Sequence, residues 1–147
     1  MSYTTAEGRT FVDTNVLVYA YDASAGSRHL VARECVARGW ADGAATSIQV
    51  LQELYVTLTQ KLPNRVSIDA ALVILDDISR WRTFSPSFRD VRGAIALQQA
   101  HGFSFWDAMI VRAALESACR TLVSNDMQDG LRLGALTIVN PFAGLAG

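Results

Sequence analysis

Short β-branched and aromatic runs alternate along the chain with longer stretches whose apolar residues recur at helical spacing. Thr10-Phe11-Val12 reads as a strand, and an apolar helix begins directly after Asp13. Gly26-Ser27 is a loop. From it Ser27 caps a helix running from Arg28 towards Trp40, with Ala32, Val36 and Trp40 as its apolar edge. Gly43 to Thr46 is a candidate second strand, although alanine is a poor strand former. Ser47 caps a helix in which Ile48, Leu51, Tyr55, Leu58 and Leu62 recur at helical spacing, stopping at Pro63-Asn64. Ser67 opens a fourth helix with Ile68, Leu72, Leu75 and Trp81 inward. Thr83-Phe84-Ser85 is a short strand. Ser87-Phe88-Arg89-Asp90 has the form of a capping box and starts a fifth helix to about Ala100. Ser104 begins a sixth, and Thr121-Leu122-Val123 and Leu136-Thr137-Ile138-Val139 are the last strands. This alternation predicts one α/β domain over residues 1–147. Its central parallel sheet, flanked by helices, uses the strands near Phe11, Ala45, Phe84, Leu122 and Ile138.

Composition changes this picture little. The 147 residues are 50% hydrophobic, enough for a substantial core. A net charge of −1 excludes a global basic field, although Arg, the better phosphate fork, supplies every cation except Lys61. Cys35 and Cys119 lie in apolar helical surroundings and read as buried free thiols of a reducing cytoplasm. The polar stretch Met1 to Arg9, with Glu7, is no signal peptide, and no apolar run is long enough for a membrane span. His29 and His101 are isolated, and His101 reads as a helix C-cap residue, so no histidine metal site is suggested.

Four acids stand at comparable places: Asp13 and Asp126 just beyond strands, Glu53 within a helix, Asp107 at a helix start. Each has an ordinary explanation alone. Asp13 can be an N-cap. Glu53 lies opposite its helix's apolar stripe, beside Gln49, Val56 and Gln60, as a solvated residue would. Asp107 can be a capping-box acid, yet Val111, Ala114 and Ala118 share its face, where a charge needs a partner or a metal. On a parallel sheet the four could meet at the carboxyl edge. Clustered carboxylates repel unless cations neutralise them, and oxygen ligands without His or Cys select Mg²⁺ or Mn²⁺. Such a site suits phosphodiester hydrolysis.

The sequence resembles the PIN domain ribonucleases, and among them the VapC-type toxins of prokaryotic toxin–antitoxin pairs. The resemblance rests on four segments in order: Phe11 to Leu17, Ser47 to Glu53, Phe105 to Ile110, and Leu122 to Gly130. It implies that Asp13, Glu53, Asp107 and Asp126 are catalytic and bind metal, Mg²⁺ or Mn²⁺, and that Asn15 and Ser124 support them. Thr14 and Ser47 are weaker supporting candidates, and capping accounts for Ser47. The resemblance implies a metal-dependent endoribonuclease that leaves 5′-phosphate and 3′-hydroxyl ends. It also implies a homodimer and a cognate antitoxin covering a groove near the pocket. Asn125 stands where many relatives carry an acid, which puts full occupancy of a second metal position in question. Asp129 is a further acid in that turn.

Other readings fare worse. A haloacid dehalogenase-type phosphatase needs an acid where Asn15 stands. A receiver domain needs a lysine near the last strands, and the only lysine is Lys61. A dinucleotide-binding domain needs glycines after the first strand. A PIN domain that binds RNA without cutting it is the main alternative.

Overall fold

A computed structural model describes residues 8–145; the polar stretch read at residues 1–7 lies outside them. Six strands form one sheet in the order β3-β2-β1-β4-β6-β5. They are β1 (Arg9–Val12), β2 (Ala44–Ser47), β3 (Arg82–Phe84), β4 (Cys119–Val123), β5 (Arg132–Leu133) and β6 (Leu136–Val139). All five strands read from the sequence are present, and they pair in parallel. The addition is β5, a two-residue strand antiparallel to β6. The helices are α1 (Thr14–Ala20), α2 (Ser27–Asp42), α3 (Ile48–Val56), α4 (Ile68–Ile78), α5 (Phe88–His101) and α6 (Phe105–Glu116). The protein is therefore α/β.

Phe11, Val12, Leu122, Val123, Leu136 and Ile138 are fully buried, as expected of parallel strands covered on both faces. Gly39 of α2 lets the helix close on the sheet, since a Cβ there would lie 3.0 Å from Ala44 and 3.1 Å from the Trp81 ring. Cys35 and Cys119 are both buried.

Three local expectations change. The N-cap of α2 is Gly26, at φ 65°, and Ser27 is the first helical residue. Likewise, α5 ends on Gly102 at φ 76°, with His101 its last helical residue. In α4 Ala71 and Ile78 are buried and Ile74 and Leu75 pack against the core, with Trp81 beyond as expected, while Ile68, Leu72 and Val73 are more than half exposed. That helix is apolar nearly all round, so spacing alone could not choose its inner face.

Strands β1 and β4 are neighbours at the centre, where the chain's successive connections turn from one side of the sheet to the other. In open α/β sheets this switch point, at the carboxyl ends of the strands, is where a crevice forms. The Asp13 N–H donates to the Val123 carbonyl at 2.9 Å, locking the two strand ends together.

A carboxylate cavity at the sheet switch point

A cavity of about 210 Å³ opens at that point and is lined by Asp13, Glu53, Asp107 and Asp126, acids from four separate parts of the chain. Each is held by local structure. Asp13 follows β1 and caps α1: its Oδ1 accepts the Thr14 N–H at 2.7 Å. Asp107 lies in the first turn of α6, whose N-cap Ser104 accepts the Asp107 N–H at 3.1 Å. Asp126 sits in the turn after β4. Glu53 projects from α3, whose cap is Ser47.

Polar neighbours tie the acids together. Ser124 is buried beneath the cavity, with its Oγ 2.9 Å from both Asp13 Oδ2 and Asp126 Oδ1. One hydroxyl proton can serve only one of those carboxylates at a time. The Thr14 hydroxyl donates to Glu53 Oε1 at 2.6 Å. Gln49 Nε2 reaches Glu53 Oε2 at 3.3 Å and the Trp106 carbonyl at 3.2 Å, linking α3 to the start of α6.

The electrostatics are unfavourable without a cation. No ion pair within the described residues engages any of the four acids. Burial, then the neighbouring Asp126 charge, pushes the Asp13 carboxyl up to about 7; the Thr14 N–H and Ser124 hydroxyl pull against this, and Glu53 adds to it. Asp107 is shifted upward by burial and then by Asp126, with Ser104 opposing.

Asp13, Glu53, Asp107 and Asp126 are the groups that could hold a divalent cation. Among the described residues, no three His, Cys, Asp or Glu side chains close into a ready-made cage. Mg²⁺ suits such an open set, because it keeps several waters and binds through one or two carboxylates plus substrate phosphate. The donors are hard oxygens, and no ion pair among the described residues neutralises them, so the chemistry of the set fits the ion.

Among the supporting candidates, Thr14 and Asn15 line the cavity. Ser124 lies below it. Ser47 is buried, and its Oγ accepts the Val50 N–H at 3.2 Å as the α3 cap. Asn125 does not line the cavity, and its Oδ1 is buried without a hydrogen bond. Asp129 accepts the Asn140 N–H at 2.8 Å, in the turn beside β6. Four further lining residues are Gln49, Thr57, Lys61 and Ile110. Gln49 was readable as a helical neighbour of Glu53. Helical spacing predicts Gln60 on that face, and the structure puts Lys61 there instead.

A sequence model of the PIN domain matches residues 10–128. No curated protein matches the sequence. Several solved structures share the fold. A toxin–antitoxin complex from Klebsiella pneumoniae has a TM-score of 0.66 at 20% identity, covering 90% of this chain and 97% of its own. VapBC2 from Rickettsia felis, bound to a DNA fragment from its promoter, scores 0.60 at 22% identity, covering 88% and 96%. VapC20 from Mycobacterium tuberculosis, a toxin cleaving the sarcin–ricin loop, scores 0.59 at 22% identity, covering 80% and 91%.

Proposed function

From the premise that the chain belongs to the PIN domain family, we propose that it is a metal-dependent endoribonuclease, the toxin of a toxin–antitoxin pair. The observation that carries this reading is the gathering of Asp13, Glu53, Asp107 and Asp126 around one cavity whose lining holds a single cation, Lys61, with no ion pair to any of the four among the described residues. Carboxylates so placed destabilise the fold unless a cation joins them. The catalytic and metal-binding set is then Asp13, Glu53, Asp107 and Asp126. A bound Mg²⁺ or Mn²⁺ would neutralise them, screen an RNA phosphate and lower the pKa of a water.

The chain's own groups divide the remaining work. Asp13, fixed by Thr14 N–H and Ser124, keeps its position whether or not it is charged. Thr14 donates to one oxygen of Glu53 and Gln49 to the other, which together aim the carboxylate. Ser124 holds Asp13 and Asp126 at a common distance. Asn15, exposed on the rim, offers an uncharged hydrogen-bonding group to the substrate.

An antitoxin partner is supported by the two-component complexes among the structural neighbours. Apolar surface for it, or for a second copy in a homodimer, exists on α4, where Ile68, Leu72 and Val73 stand exposed. The buried cysteines Cys35 and Cys119 suit a cytoplasmic setting. No helix among the described residues is long and apolar enough to cross a membrane.

The test is cleavage of labelled single-stranded RNA by the purified protein with Mg²⁺ or Mn²⁺. Activity should vanish in EDTA and fall by about a hundredfold or more in Asp13→Asn, the size expected for losing a preorganised electrostatic group. RNA that is bound but left intact under every metal condition would instead identify a non-catalytic RNA-binding protein.

A further inference from the structure

The helix that carries Glu53 changes its period before it ends. After α3, residues Thr57–Lys61 form a π turn, and the Leu62 N–H reaches back five residues to the Thr57 carbonyl at 3.1 Å. The cause lies in the sequence. Pro63 disfavours the helical region for Leu62, which is extended at φ −71° and ψ 146°. Thr59 also donates its hydroxyl to the Tyr55 carbonyl at 2.8 Å, a back-bond that bends helices.

A π turn holds one residue more than an α turn, so every side chain beyond it slips by one position around the helix. In an unbroken α-helix the stripe Gln49, Glu53 would continue to Gln60. With the slip it continues through Thr57 to Lys61. Gln49, Glu53, Thr57 and Lys61 all line the carboxylate cavity, and Gln60 does not. The chain's only lysine is thereby turned towards its acidic site.

Lys61 stands at a seam. It lines the cavity and also an adjoining groove of about 220 Å³ that shares Glu53 and Thr57 with it. Among the described residues it is the only cation on either lining. No ion pair within them engages it. Its ammonium is exposed and carries three donors on a flexible stem.

We infer that Lys61 is a substrate-binding residue that holds the RNA phosphate next to the one being cut, where the strand passes from the cavity into the groove. The inference rests on the nuclease reading for its substrate. A contact to a neighbouring, non-reacting phosphate is made equally in ground and transition states, so it lowers KM without changing kcat.

The experiment compares wild type with Lys61→Gln, Lys61→Arg and the double variant Gln60→Lys/Lys61→Gln, which keeps the charge but moves it one position round the helix. Binding of a fluorescein-labelled single-stranded RNA is followed by anisotropy across a salt series in Ca²⁺ buffer, with RNA integrity checked on a gel. Lys61→Gln should bind about fivefold more weakly and lower the salt slope by about 0.7, one phosphate contact to a single strand. Lys61→Arg should restore both, and the double variant should not. In Mg²⁺, Lys61→Gln should raise KM with kcat within about twofold. Unchanged binding and salt slope in Lys61→Gln, or full rescue by the double variant, would overturn the assignment. Loss of kcat with unchanged binding would overturn it as well. If wild type binds RNA but never cuts it, the nuclease reading fails, while the anisotropy series still decides whether Lys61 contacts phosphate.

Discussion

Asp13 and Asp90 are the same residue type in nearly the same amount of solvent, 5% and 6% exposed, at the starts of two helices. Their surroundings pull them in opposite directions. Asp90 accepts the Ser87 N–H at 2.9 Å and pairs with Arg112 Nε at 3.0 Å. The Ser87 N–H, followed against burial by Arg112, holds its carboxyl below the usual range. Asp13 has acids for neighbours, and burial with Asp126 raises its carboxyl to about 7. Both are shielded from solvent, but Asp13 lies deeper and burial costs it more, and its neighbours add to that cost where those of Asp90 oppose it. A buried carboxylate with a guanidinium beside it is part of the fold. One with only carboxylates and hydroxyls beside it burdens the fold, which is the usual mark of a working site.

Removing the paired acid should therefore hurt most. Asp90→Ala leaves Arg112 half-buried with only Glu116, 3.7 Å away, and breaks the capping box with Ser87. The expected loss is about 3 kcal/mol in urea unfolding, with RNA cleavage by the remaining folded protein unchanged. A loss as small as that of a surface substitution would erase the contrast between the two acids.

A gentler change sharpens it. At Gly93 of α5 a Cβ would lie 2.6 Å from Arg112 Nη1, so Gly93→Ala must push the guanidinium aside. The helix gains about 1 kcal/mol from alanine, which offsets part of the damage. A net loss of about 1 kcal/mol is expected, together with an upward move of the Asp90 carboxyl pKa in an NMR titration. A stabilised variant with an unmoved Asp90 would show that the pair tolerates displacement.

The sequence made some of this visible and hid the rest for identifiable reasons. Strands at Phe11, Leu122 and Ile138 announced themselves through β-branched and aromatic residues. The strand at Ala45 was legible only from its place between two helices. Arg132-Leu133 is too short to carry any period, so β5 escaped notice. The acids at Asp13 and Asp126 could be read because a carboxylate directly after a strand has a fixed place in a parallel sheet. The pairing of Asp90 with Arg112 could not, because 22 positions separate them on different helices. Lys61 could not be placed at the cavity from the sequence, because a single helical period from Gln49 and Glu53 leads to Gln60, and the π turn ahead of Pro63 breaks that period.

A carboxylate cavity that needs a cation should reveal itself in how stability depends on pH. The Asp13 carboxyl rises from an ordinary 3.8 to about 7 on folding. The stability contributed by its extra proton is full below the ordinary value and disappears as pH climbs through about 7. Asp107 shifts the same way and adds to the slope. Asp90 shifts downward, so its contribution is lost only as pH falls below the ordinary carboxylate value, and it stays silent between pH 5 and pH 8. Urea unfolding of metal-free wild type should therefore show falling stability from pH 5 to pH 8. Asp13→Asn keeps the cap to Thr14 without the charge, and its profile should be flatter and higher at pH 8. Adding Mg²⁺ at pH 8 should restore the wild type and do little for the variant. A flat wild-type profile, or an equal gain from Mg²⁺ in both proteins, would contradict the account.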